Sequence, residues 1–179
     1  MSTSIAKFSK LKEFVSGKTV IIEGYNFVGK SFLIKKLSNE HKIIDKGMAG
    51  ILPEAIRWSF IITLLSMMRY CDLRYRKFII SQSVLAGSYY NLCRPSEIGN
   101  LITLDTMYFF RDAVKEMEVP IILIELNKTK FKELTQDLVF DKKLLYDGYL
   151  KYMTHVKDMI KFLGLEDLLV FYKNTEILE

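Results

Sequence analysis

Residues 19–34 read Thr19-Val20-Ile21-Ile22-Glu23-Gly24-Tyr25-Asn26-Phe27-Val28-Gly29-Lys30-Ser31-Phe32-Leu33-Ile34. Thr19–Ile22 is short, apolar and β-branched, as a strand buried on both faces of a parallel sheet must be. Gly24–Ser31 satisfies the pattern G-x-x-x-x-G-K-[ST] in full, and Ser31–Leu37 continues as a predicted helix. The strand before and the helix after give the motif its physical sense. Two glycines let the backbone wrap closely round an anion, successive N–H groups point inward, and the helix start adds a positive pole. The expected site for a nucleoside triphosphate is therefore Gly24, Tyr25, Asn26, Phe27, Val28, Gly29, Lys30, Ser31 and the adjoining Phe32. Lys30 is expected on the β- and γ-phosphates, and the Ser31 hydroxyl on Mg²⁺. The competing reading is a chance match in a turn.

Outward from this stretch, strand and helix alternate. Ser4–Val15 spaces Ile5, Phe8, Leu11 and Phe14–Val15 as one face of a helix, so residues 1–16 are expected as an added N-terminal helix. Further strands are expected at Lys42–Ile44, Lys77–Ile80, Pro120–Leu126 and Leu168–Tyr172. Helices are expected at Pro53–Leu73, Ser83–Asn91, Glu97–Met117, Phe131–Leu138 and Lys142–Leu163. No linker, repeat or biased segment interrupts the pattern. One domain over residues 1–179 follows, of class α/β, with an open parallel sheet and helices on both faces.

Composition agrees. A chain of 179 residues with 50% hydrophobic and 26% charged residues builds a full core without staples, which excludes disorder and fibrous classes. Two cysteines, Cys71 and Cys93, form no disulfide framework, and with only His41 and His155 beside them a zinc site is not expected. Both thiols are expected to be buried. Phe60–Met68, the most apolar stretch, is about half a membrane span. Met1–Lys12 lacks the continuous apolar run of a signal peptide, so a cytoplasmic protein with no membrane association is expected. The net charge of +5 favours anionic partners without choosing among nucleotides, phosphorylated metabolites and nucleic acid.

Several further segments are similar, in order, to the thymidylate kinases and related deoxynucleoside and deoxynucleoside monophosphate kinases. Glu23-Gly24 looks like the family's E-G opening. Asp45-Lys46-Gly47 with Ile56-Arg57 is similar to its E-P-G loop and later Arg, and Leu64-Leu65 with Arg69 to its L-[LF]-x-x-x-R helix. Ser81-Gln82-Ser83-Val84-Leu85-Ala86-Gly87-Ser88-Tyr89-Tyr90 resembles D-R-Y-x-x-S-G-x-x-[FY], with Gly87 and Tyr90 in register. The resemblance implies a three-layer P-loop kinase fold with a five-stranded parallel sheet. It implies phosphoryl transfer from ATP, with Mg²⁺, to a small nucleoside-type acceptor, and a homodimer fits it as well. Lys30 and Asp45 would be catalytic, and Asp45, Arg57, Arg69, Gln82, Gly87 and Tyr90 would line the acceptor site. Arg57 and Arg69, twelve residues apart, share one helix face and suit a phosphate or a base carbonyl. Each role has a plainer competitor: solvated charges for the arginines, core packing for Tyr90 and Trp58, a cap for Asp45.

Departures from the family pattern concentrate near the reacting centre. Its acidic loop residue is here Asn26, and its D-R pair is Ser81-Gln82, which can hydrogen-bond but carry no charge. Between Asn127 and Leu150 there is no arginine, leaving Lys128, Lys130, Lys132, Lys142 and Lys143 as lid cations. Two alternatives therefore stay open: a kinase acting on a modified base or terminus in DNA, and a nucleotide-binding regulatory or assembly protein that has lost catalysis.

The remaining features read plainly. Arg69, Arg74, Arg76 and Lys77, interleaved with Tyr70 and Tyr75, are either a nucleic-acid contact or a helix end. Asp105, Tyr108, Arg111 and Asp112 either border a pocket or form a surface ion-pair lattice. Ser83 and Ser88 show no His partner signature, and His155 reads as a surface or packed residue.

Overall fold

The computed structural model describes residues 3–44, 77–93 and 102–173. The buried run expected after Gly17 is β2, Val20–Glu23, and all four of its residues are buried. Its neighbours are β4, Phe78–Ser81, on one side and β5, Ile121–Glu125, on the other. Beyond them lie β3, Lys42–Ile44, and β6, Leu169–Lys173. All five expected strands thus form one parallel sheet. Ile21, Ile22, Ile79, Ile80, Ile121 and Ile122 have no exposed surface, so an isoleucine-rich layer forms its centre.

A sixth strand corrects the reading of residues 1–16. Thr3–Ile5 is β1, parallel to β6 with Thr3 opposite Val170 and Ile5 opposite Tyr172. The helix, α1, is confined to Phe8–Val15. Ile5 and Phe8 do fall at helical spacing, but pairing with the far end of the chain wins over the local pattern. The sheet order is β1-β6-β5-β2-β4-β3.

The helices fall into two groups. The first holds α1 and α2 (Lys30–Leu37), joined where Lys36 lies over the Phe8 ring and where His41 bonds Val15 O and Lys18 O. In the second are α3 (Val84–Cys93), α4 (Leu104–Glu116), α5 (Lys128–Leu134) and α6 (Lys142–Phe162). Tyr108 of α4 stacks on Phe162 of α6, Phe131 of α5 packs on Tyr146 and Tyr149, and α3 packs along α6. Right-handed crossovers put these two groups on opposite faces of such a sheet.

Capping sets two boundaries. The fourth helix starts at Leu104 because Thr103 Oγ1 accepts from Thr106 N; the expected start at Glu97 lies outside the described residues. In α5, Asn127 Oδ1 accepts from Lys130 N at 2.8 Å, so the helix begins three residues ahead of Phe131. Strand order then fixes where a ligand can sit. The chain leaves β2 toward β3 and leaves the adjacent β5 toward β6, the opposite direction. A crevice opens where such connections diverge, outside the carboxyl ends of the strands.

Candidate functional site

The loop between β2 and α2 stands at that crevice. Its backbone turns twice through left-handed space, at Phe27 (φ 67°) and Gly29 (φ 82°). Alternation of this kind aims successive N–H groups at one point and makes an anion-binding nest. Gly29 is also the N-cap of α2 and offers no side-chain cap, so first-turn N–H groups of that helix face outward. Glycine at position 24 answers to space. A Cβ there would lie 2.8 Å from Val28 Cγ2 and 3.4 Å from Ile124 Cβ.

The nine residues expected to hold a triphosphate divide by what their side chains do. Val28 is fully buried beneath the loop and contributes only backbone. Tyr25 turns toward α6. Its ring packs against Tyr89, Tyr149 and Tyr152, and a Cβ on Gly148 would sit 2.5 Å from its hydroxyl. Asn26 and Phe27 are exposed at the loop tip. Lys30 Nζ donates to Gly24 O at 3.2 Å, closing the loop on itself. Ser31 is exposed in the first turn of α2, and Phe32 lies under the Lys36 ammonium.

Beneath the loop is a feature that sequence reading passed over. Glu23, with no exposed surface, ends β2. One carboxylate oxygen accepts from Ser83 N at 2.6 Å and from the Ser83 hydroxyl; the other accepts from the Tyr152 hydroxyl at 3.0 Å. These contacts tie β2, the end of β4 and α6 together directly under the phosphate loop. Burial pushes the Glu23 carboxyl above its usual range; the Ser83 hydrogen bonds, the Lys30 charge and Tyr152 pull the other way. The available signal was an ionisable residue closing an otherwise apolar strand.

Of the expected acceptor residues, Gln82 and Tyr90 meet at the loop. The Tyr90 hydroxyl donates to Asn26 Oδ1 at 3.4 Å, and burial raises its pKa against the opposing influence of the Gln82 side chain beside it. Gln82 is buried at φ 62°, a conformation that costs a non-glycine residue about 1 kcal/mol or more, held by Gln82 N donating to Ile22 O. Gly87 is buried inside α3. Asp45, Arg57 and Arg69 lie outside the described residues, as do Trp58, Cys71 and the Arg74–Arg76 cluster.

Three expectations change. Lys130 is not an available lid cation: it is buried and paired with Glu133 at 3.1 Å. Cys93 is exposed rather than buried, since it falls in the last turn of α3. Ser88 does have a histidine partner, its Oγ 2.8 Å from His155 Nε2, though the same hydroxyl donates to Leu85 O. The pair clamps α3 to α6, and burial lowers the His155 pKa. Of the two readings of the group around Arg111, the contacts favour the surface lattice: Arg111 pairs with Asp112 and covers the Tyr108 ring.

A Mg²⁺ ion at the loop would take the Ser31 hydroxyl as ligand; both Glu23 oxygens are already engaged, so phosphates of a bound nucleotide would have to supply most of the coordination. Among the described residues no group of three His, Cys, Asp or Glu side chains is placed to hold a metal, and no helix is long and apolar enough to cross a membrane. A cleft of about 410 Å³ opens past the end of β5, its lining including Leu126, Tyr149 and Met153 and the polar Asn127, Lys157 and Lys173. In comparisons with known proteins, the chain matches no family model and no curated sequence.

Proposed function

We propose that the chain is an ATP- and Mg²⁺-dependent phosphotransferase acting on a deoxynucleoside monophosphate or a similar nucleoside-type acceptor. The observation that carries the reading is the loop geometry: two left-handed turns and an uncapped helix start around Lys30, at the divergence point of a parallel sheet. The nest amides and Lys30 would grip the β- and γ-phosphates, Lys30 exchanging its bond to Gly24 O for a phosphate oxygen. Ser31 would hold Mg²⁺, which supplies charge neutralisation of the transferring phosphoryl group. Asn26 and Tyr90, already in contact, and Gln82 beside them offer amide and hydroxyl groups suited to hydrogen-bonding an uncharged part of an acceptor.

The test is transfer from γ-labelled ATP to a panel of nucleosides, nucleoside monophosphates and oligonucleotides, with Lys30→Ala as the comparison. Transfer lost in Lys30→Ala supports the proposal. ATP binding without transfer to any acceptor refutes the catalytic half of it, and leaves a nucleotide-binding protein. The neutral pair Ser81-Gln82 at the end of β4 is what favours that second reading.

A further inference from the structure

Glu23 is a fully buried carboxylate, and Lys30 Nζ stands at the carbonyl of the adjoining residue, 3.2 Å from Gly24 O, the cation among the described residues whose charge favours the ionised form. Its other neighbours among the described residues are neutral: Ser83 just past β4, Tyr152 on α6, Tyr90 on α3, and the register partner Leu123 on β5. Lys30 is also the cation that the phosphate loop directs at its ligand. One positive charge therefore serves two anions in turn.

We propose that binding of a nucleoside triphosphate at the loop drives uptake of a proton by the Glu23 carboxylate. The inference rests on the reading of the loop as a triphosphate site. When Lys30 turns from Gly24 O to a phosphate, its charge is shared with a polyanion that also approaches Glu23 directly. Both changes disfavour the ionised carboxylate in a site with little solvent to screen them. The proton comes from the buffer acid, which is left as its base; one O–H bond forms on Glu23, and no bond to the nucleotide breaks. The new proton has an acceptor, because the Ser83 and Tyr152 hydroxyls that donate to the carboxylate can rotate and accept. Burial already raises this carboxyl above its ordinary value.

A consequence follows for affinity. A ligand that binds with proton uptake binds more weakly as pH rises, by up to about tenfold per pH unit for one linked proton. Glu23 would thus be a positioning residue: it acts through Lys30, not on the phosphates.

Calorimetric titration with a non-hydrolysable ATP analogue and Mg²⁺, in buffers of differing ionisation enthalpy from about pH 5 to 9, counts the protons taken up. Wild type is expected to take up a fraction of a proton approaching one within part of that range. The difference from Glu23→Gln isolates the carboxyl from titration of the nucleotide itself. Tyr152→Phe gives an independent arm: it removes a donor to the carboxylate, raises its pKa and moves the uptake window to higher pH. Equal proton counts in wild type and Glu23→Gln overturn the inference while the site reading stands, and so does an unmoved window in Tyr152→Phe. Absence of any binding overturns the site reading itself, and the inference with it.

Discussion

Substituting Gly24 by alanine probes the phosphate loop through a single physical effect. Gly24 does not lie at positive φ, so alanine carries no backbone penalty; what it adds is one methyl group. That carbon would sit 2.8 Å from Val28 Cγ2 and 3.4 Å from Ile124 Cβ. Val28 cannot yield easily: it is fully buried, and a β-branched side chain has few alternative rotamers. Overpacking of this kind costs about 1–3 kcal/mol, or roughly 2–12 °C in melting temperature for a domain this size. Relief must come from the loop backbone, which carries the nest. ATP affinity should then fall by roughly tenfold or more, the loss of one charge-assisted amide contact. Gly148→Ala is the paired control. Its Cβ meets only the tip of Tyr25, and the gain in helix propensity of about 1 kcal/mol offsets the contact, so affinity should change far less. Thermal unfolding and nucleotide titration of both variants give the answer. A Gly24→Ala protein with unchanged melting temperature and unchanged affinity would refute the packing argument.

Three further outcomes are expected. Phe27→Gly, at φ 67°, should leave stability unchanged or raise it by up to about 1 kcal/mol and should retain ATP binding; lost binding would mean that the ring, not the backbone turn, holds the ligand. Ser81→Ala should stabilise the fold by about 1 kcal/mol in chemical denaturation, because Ser81 Oγ is buried with no hydrogen-bond partner among the described residues, and a loss of stability would contradict this. His155 titrates below its ordinary 6.5 in the fold, so the unfolded chain binds the proton first and stability falls as pH drops through and below that value. His155→Gln should flatten that part of the stability–pH profile; an identical slope in the variant would contradict the assignment.

The parts of this fold that sequence reveals are those held by local chemistry. The β2–loop–α2 unit is legible because a buried β-branched run, two glycines and Lys30-Ser31 each carry a local meaning, and the alternation of elements gave the parallel sheet. Strand β1 was not legible, since Thr3–Ile5 is a strand only through its pairing with β6. Within the site, Asn26, Gln82 and Tyr90 were named from the motif order, and the fold brings them together. The Glu23–Ser83–Tyr152 brace was missed for the reason β1 was: its three members come from β2, the end of β4 and α6. Ser88 and His155 meet the same way, across two packed helices, where no sequence spacing could announce them.

The central claim is that the loop from Gly24 to Ser31 grips a triphosphate. Titration of the protein with ATP and Mg²⁺, followed by heat, tests it most directly, with Lys30→Ala beside it. Saturable one-to-one binding that Lys30→Ala abolishes, with the variant still folded, is the expected result. No heat with ATP or GTP, or equal binding by the two proteins, would contradict it.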